Sequence, residues 1–257
     1  MSPSGWSVGA GLESRGVLVT GAAGGIGAAV ARAFATTGAK VMAVDVDQQR
    51  VDELVGSLEG SGHLGVAWDL RDVSGHEELV RRAVNGLGEL YVLTNLAAVL
   101  RRRQLDEVTE DDWDFQHDIN LKALFFLCRA AAAAMVEAGR GGRIINFTSQ
   151  SWWTGGYGGA VVYAASKGGI VAMTRGLART YGPHQITVNA VAPGQVHTPM
   201  LMTDYPKELY ESLRQQTPLG YVADPEDIAG TVVFLASDHA RYITAATINI
   251  TGGLLAY

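Results

Sequence analysis

Tyr163 and Lys167 stand four residues apart in a stretch that reads as helix, so their side chains share a face. A free tyrosine ionises at about pH 10, too high for a base near neutrality. A neighbouring ammonium favours the phenolate and lowers that value. Tyr163 is therefore expected to take a proton from an alcohol or give one to a carbonyl. Lys167 would tune it, and could also hold a ribose. Ser149 follows a strand, where its hydroxyl can donate to a substrate oxygen in the manner of an oxyanion donor. Asn120, on a long helix, could fix a water that relays protons to Lys167. A Tyr-x-x-x-Lys pair alone is common, so its weight depends on what surrounds it.

The segment Thr20-Gly21-Ala22-Ala23-Gly24-Gly25-Ile26-Gly27 closes the first strand and opens the first helix. Glycine there permits a tight turn and lets backbone N–H groups approach a pyrophosphate. The helix N-terminus adds partial positive charge. Asp45 ends the second strand, where a carboxylate can accept from both hydroxyls of an adenosine ribose. It would repel a 2′-phosphate, and no arginine directly follows it, so NAD is expected over NADP. Asp45 could also simply cap a helix. Asp69 could hold an adenine amino group or cap the next turn, with Leu70 beside it. Asn95 could brace the sheet or touch the cofactor ribose.

The elements that must position these residues alternate along the chain. Strands are expected at 17–20, 41–45, 63–68, 91–95, 143–148, 186–191 and 247–250. Helices are expected at 26–37, 48–58, 75–85, 112–138, 161–181 and 225–236. Strands separated by helices imply an α/β fold with a doubly wound, Rossmann-type parallel sheet. The residues above fall just after strands, where such sheets bind ligands. With no repeat or linker visible, one domain over 15–257 is the economical reading. It is preceded by a flexible lead-in at 1–14.

Taken together, these motifs resemble the classical short-chain dehydrogenase/reductase family, from about Arg15 to the C-terminus. The carriers are the Thr20–Gly27 loop, Asn120, Ser149 with Tyr163 and Lys167, and Pro193-Gly194 after the sixth strand. The resemblance implies a catalytic tetrad of Asn120, Ser149, Tyr163 and Lys167. It implies cofactor contacts from Gly21, Gly25, Ile26, Gly27, Asp45, Asp69, Leu70, Asn95, Ala97, Tyr163, Lys167, Pro193 and Gly194, with Val196 and Thr198 on the nicotinamide carboxamide. It also implies a homotetramer. Three departures stand out. The family's Asn-Asn-Ala-Gly is here Asn95-Leu96-Ala97-Ala98. The serine usually thirteen residues before the tyrosine is either Ser149 or Ser151; the strand-end run Asn146-Phe147-Thr148-Ser149 favours Ser149. The aspartate usual before the C-terminal Gly-Gly is Thr251.

Composition narrows the partners. The 257 residues carry a net charge of −6, which disfavours nucleic acid. The one basic run, Arg101-Arg102-Arg103, is followed closely by acids and reads as a solvated loop. Cys128 is the only cysteine, sits in an apolar run and reads as an inert buried thiol. The apolar tract 121–138 is interrupted by Lys122, Arg129 and Glu137, a poor membrane span. The N-terminus lacks a secretory pattern, so a cytoplasmic location is expected. His197 has no partners at ligand spacing, so no metal is expected. The substrate pocket is expected to include Ser149, Ser151, Trp152, Tyr163 and Gln195. Trp152 and Trp153 are adjacent. In an extended segment they would point in opposite directions, one to the pocket and one into the protein; equally, both could serve only packing. The stretch 195–220, with His197, Met200 and Tyr205, reads as a mobile lid. An aromatic wall suits a ring alcohol or a sugar-like polyol. The rival readings are an NADPH-dependent carbonyl (3-oxoacyl-type) reductase, against which Asp45 argues, and a non-catalytic dinucleotide sensor, against which Tyr163 and Lys167 argue.

Overall fold

Val17, Leu18 and Val19 are all fully buried, although successive strand residues face opposite ways. A strand that is apolar on both faces needs cover on both faces, which is the condition of a central strand in a parallel sheet. The computed structural model describes residues 7–202 and 207–255. Seven parallel strands lie in the order β3-β2-β1-β4-β5-β6-β7. They are β1 Gly16–Thr20, β2 Lys40–Asp45, β3 Leu64–Ala67, β4 Val92–Asn95, β5 Gly142–Phe147, β6 Ile186–Pro193 and β7 Thr247–Ile250. One face is covered by α1 (Gly25–Thr36) and α10 (Pro225–Ala236), with α2 (Gln48–Gly56) beside them. The other is covered by α3 (His76–Leu87), α5 (Leu124–Ala138) and α7 (Val161–Tyr181). The Rossmann-type doubly wound architecture is as expected from the sequence.

The chain runs outward from β1 to β3, then returns to place β4 on the other side of β1. The carboxyl ends of β1 and β4 therefore flank a crevice, and their last residues, Thr20 and Asn95, are in register. Asn95 in turn is in register with Asn146 of β5. Glycine loop, Asn95 and the Ser149 loop thus open on one edge of the sheet.

The helix expected over 112–138 starts at Glu110, where Thr109 and Asp112 cap each other reciprocally. It is continuous to Ala138 but not uniform: α4 (Glu110–His117) passes through a π-turn, Asp118–Ala123, into α5. By length and composition this helix could cross a membrane, yet half of its apolar window is buried within the chain.

Two expectations change. Residues 7–14 of the expected flexible lead-in are anchored: Leu12 is fully buried in the α1/α10 core, and Ala10 accepts from the Asp238 amide at 2.9 Å. The buried Leu12 side chain and main-chain bonds to Gly38 and Asp238 dock this segment. In the expected lid, α8 (Pro199–Met202) and α9 (Lys207–Gln216) form, and Tyr205 lies outside the described residues.

Buried polar groups tie the sheet to its helices. Asn95 Nδ2 donates to Asn146 Oδ1 (2.9 Å) and Cys128 Sγ (3.2 Å). Asn146 Nδ2 donates to Thr174 Oγ1 (3.0 Å). Burial pushes the Cys128 thiol up to about 12, so it stays protonated and inert. Because Asn146 is fully buried, Asn146→Ala leaves its partners partly unsatisfied. The loss expected is about 1–3 kcal/mol of stability, read as a lower denaturant midpoint. A midpoint equal to the parent's would show that this network contributes nothing.

Candidate active site

The glycine loop is shaped by close approach. Gly21 has φ +64°, and a Cβ on it would lie 2.7 Å from the Ala97 nitrogen. A Cβ on Gly27 would lie 2.0 Å from the Gly21 carbonyl oxygen, and one on Gly25 would lie 2.9 Å from Thr198 Cγ2. The loops after β1, β4 and β6 are therefore in contact around the start of α1. Its N-cap, Gly24, offers no side-chain cap, and the first turn carries no acidic residue. Among the described residues, no side chain caps the first-turn amides, the arrangement an anionic diphosphate fits.

Asp45 accepts from the Ala23 amide (Oδ2, 3.0 Å) and the Val46 amide (Oδ1, 2.8 Å). On the other side of the same residue, Arg50 Nη2 donates to the Ala23 carbonyl at 2.5 Å. Arg50 escaped the sequence reading. Its only signal was its position in the first turn of α2, and nothing in the sequence says which way that helix is rotated.

Several expected cofactor residues are placed differently from one another. Asp69 accepts from the Arg71 amide and pairs with its guanidinium (2.6 Å), which holds the carboxyl below its ordinary range. It shapes the turn, the second of its two expected uses. Leu70 gives its carbonyl to His76 Nε2 (2.9 Å). Asn95, read as bracing the sheet or touching the cofactor ribose, turns its side chain into the buried network, where Cys128 and Asn146 present acceptors. Ala97 borders Gly21, and the Leu96 and Ala97 amides donate to Thr20 Oγ1 (3.2 and 3.4 Å). Ala98 does not take the left-handed backbone that a glycine would offer, so its departure from the family pattern introduces no strain. Gly194 donates to the Ile250 carbonyl (2.8 Å), and a Cβ on it would lie 2.9 Å from Thr251 Cα. Val196 has its side chain in the core, and Thr198 overhangs Gly25.

Tyr163 and Lys167 sit where α7 packs against the end of β5. Thr148 Oγ1 donates to the Lys167 carbonyl (2.7 Å), and Lys167 Nζ donates to the Phe147 carbonyl (2.8 Å). Lys167 is buried, its Nζ 5.4 Å from the centre of the Tyr163 ring. Burial pushes the Lys167 ammonium down to about 7. Burial also pushes the Tyr163 phenol up to about 12, while a hydrogen bond with Ser149 and the charge of Arg102 pull it down. The expected depressed tyrosine is therefore not what the chain alone produces. Desolvation disfavours both charged forms, and at Tyr163 it outweighs the Ser149 hydrogen bond and the charge of Arg102.

Ser149 and Ser151 lie side by side, Oγ to Oγ at 3.2 Å, and the Ser151 amide donates to Ser149 Oγ. Of the two, Ser149 is the one that acts on the Tyr163 phenol. Asn120 does not turn a free amide toward Lys167. Its Oδ1 accepts from the Val99 amide (2.8 Å), and its Nδ2 donates to the Val99 carbonyl (2.9 Å) and to Ser166 Oγ (3.2 Å). Both N–H groups are thus engaged within the chain.

Trp152 and Trp153 are not extended. They lie on the short helix α6 (Ser151–Thr154), ring centres 5.3 Å apart and edge to face. Trp152 is half-buried and Trp153 exposed. Gln195 is half-buried, its carbonyl accepting from the Ala223 amide (3.1 Å). His197 bonds Asp224 Oδ1 (3.1 Å) and the Tyr210 hydroxyl, tying the segment after β6 to α9 and to the N-cap of α10.

Residues 21–255 match a family model described as enoyl-(acyl carrier protein) reductase. The chain belongs to the classical short-chain dehydrogenase/reductase family. It is 39% identical over 254 residues to (3R)-3-hydroxyacyl-CoA dehydrogenase of Canis lupus familiaris, covering 95% of this chain and 97% of that protein. It is 37% identical over 244 residues to D-threitol dehydrogenase of Mycolicibacterium smegmatis, covering 94% and 93%. A crystal structure from Sinorhizobium meliloti 1021, described as a short-chain alcohol dehydrogenase, superposes with a TM-score of 0.89 at 36% identity, covering 95% and 97%. The chain is an oxidoreductase acting on CH–OH groups, in a family that uses nicotinamide cofactors.

The buried lysine generates a test. Its folded pKa lies below that of an unfolded lysine, so between about pH 7 and pH 10.5 the unfolded chain binds more protons and stability rises with pH. Lys167→Met removes that dependence. The Tm of the variant minus that of the parent should be larger at pH 6.5 than at pH 9.5. The reverse order would mean that the ammonium is stabilised where it lies.

Proposed function

We infer that the protein is an NAD-dependent dehydrogenase of secondary alcohols or the corresponding ketones, with Tyr163 as acid/base. The observation that carries this reading is the Ser149–Tyr163–Lys167 cluster, held one strand away from an uncapped glycine loop. The dinucleotide supplies the hydride acceptor. Ser149 holds the substrate hydroxyl beside the phenol, and Tyr163 takes its proton as the carbon is oxidised. Lys167 lies close enough to stabilise the phenolate, and its proton inventory near pH 7 suits it to return one. Gly21, Gly25, Ile26 and Gly27 would line the diphosphate, and Asp45 would accept from the adenosine ribose. Pro193, Gly194, Val196 and Thr198 would line the nicotinamide end, Val196 through its backbone. Ser151, Trp152 and Gln195 would border the substrate, under a lid at 195–220. A ring alcohol or polyol fits the aromatic wall. We place the enzyme in the cytoplasm as a homotetramer, as the family resemblance implies.

A second reading, an NADPH-dependent 3-oxoacyl-type reductase, draws on one observation: Arg50 reaches Ala23, the residue that Asp45 holds. Both readings share the acid/base, so two measurements separate the issues. Tyr163→Phe should remove most turnover and leave NADH binding nearly unchanged in fluorescence titration. Turnover near the parent's would move the acid/base elsewhere. The parent should favour NAD over NADP strongly in kcat/KM, and Asp45→Ala should narrow that preference by relieving repulsion of a 2′-phosphate. Equal kcat/KM for both cofactors in the parent would favour the second reading.

A further inference from the structure

The structure treats the three consecutive arginines after β4 differently. Arg101 pairs with Asp111 (2.7 Å) and Asp112 (3.4 Å) and lies over the Phe115 ring. Arg103 pairs with Asp112 (3.4 Å). Arg102 has no carboxylate partner among the described residues. Its Nη1 donates to two main-chain oxygens, those of Tyr157 (3.2 Å) and Gly158 (3.1 Å). Carbonyl oxygens orient a guanidinium without neutralising it. Among the described residues, its Nε and Nη2 donate to nothing.

Arg102 is also held to the loop that leads to Tyr163. Tyr157 and Gly158 lie on the loop that enters α7, six and five residues before Tyr163. The Arg103 amide donates to the Gly159 carbonyl (3.0 Å), and Val99 is fixed to Asn120 through both its peptide groups. The segment between them has little freedom to carry the guanidinium away. Its charge is felt at the Tyr163 phenol. A forked, oriented, uncompensated cation beside an acid/base suits a planar anion on the same substrate.

We propose that Arg102 determines specificity by binding the carboxylate of the substrate, so that the preferred substrate is a hydroxy acid or sugar acid and not a neutral polyol or thioester. This rests on the reading of Tyr163 as the acid/base for a secondary alcohol. It narrows that reading to anionic members of the class.

The test compares short 3-hydroxy acids and aldonic acids with their neutral counterparts: the amides, the matching polyols, and N-acetylcysteamine thioesters of the same 3-hydroxy acids. The parent should prefer acid over neutral counterpart by about ten- to hundredfold in kcat/KM, mostly through KM, as expected for a charge-assisted pair. Arg102→Gln should collapse that ratio toward one, and Arg102→Lys should restore part of it. An acid-to-neutral ratio near or below one in the parent overturns the proposal. So does a ratio that survives Arg102→Gln, including the case where both substrates weaken in parallel, which would mark Arg102 as a loop brace. If Arg102→Gln does not fold, the parent decides by salt: kcat/KM for acids should fall with ionic strength and that for neutral compounds should not. Absence of turnover on every compound with either cofactor would be a failure of the Tyr163 reading. Quenching of tryptophan fluorescence in the NADH-bound enzyme then decides the Arg102 question alone, with acids bound no better than amides overturning it.

Discussion

A lysine held out of water beside a tyrosine is the constraint around which this site is arranged. Such a cation must have a stem that is packed and a head that is hydrogen-bonded, or burial simply expels it. Here the head reaches the Phe147 carbonyl at the end of β5, and the Lys167 peptide carbonyl takes the neighbouring Thr148 hydroxyl. Helix and strand are clasped at adjacent residues. The same clasp sets the distance between α7 and the Ser149 loop, and with it the position of the phenol. Arginine has the wrong shape for this place, and its guanidinium does not lose its proton.

The second requirement is that three strand ends meet. Gly21 against Ala97, Gly27 against the Gly21 carbonyl, and Gly25 against Thr198 are approaches that a Cβ would block. These contacts draw the loops after β1, β4 and β6 over the start of α1. The β5 loop is drawn in by the Gln150 amide, which donates to the Pro193 carbonyl (3.0 Å). Four strands thus deliver their loops to one crevice, and the buried Asn95–Asn146–Thr174 line keeps the two central ones tied to α7 beneath it.

Much of this was legible in the sequence, and the reasons are physical. Long apolar runs broken by amphipathic helices dictate a parallel sheet, and Val161–Tyr181 and Pro225–Ala236 appear at their expected bounds because apolar periodicity and a Pro-led cap mark them. What was missed depends on desolvation or on rotation about a helix axis. The neighbours of Tyr163 were readable, but its burial was not, so the direction of its pKa came out inverted. Asn95, Asn120 and Arg50 were placed on elements correctly or passed over, yet their partners lie 21 to 51 residues away. The extended Trp152–Trp153 segment became a helical turn because Gly155 ends it in the left-handed region, a conformation that sequence allows without demanding.

The Asn120–Val99 pair has a further consequence. The amide side chain meets the peptide of residue 99 on both its donor and its acceptor, as one strand meets another. The path of the loop after β4 is therefore recorded in a side chain from a different element, and not in the loop's own residues. Leu100, whose side chain takes no part in that pairing, can then change with the least effect on where the backbone runs. The display of this segment is thereby decoupled from the course of the chain that carries it.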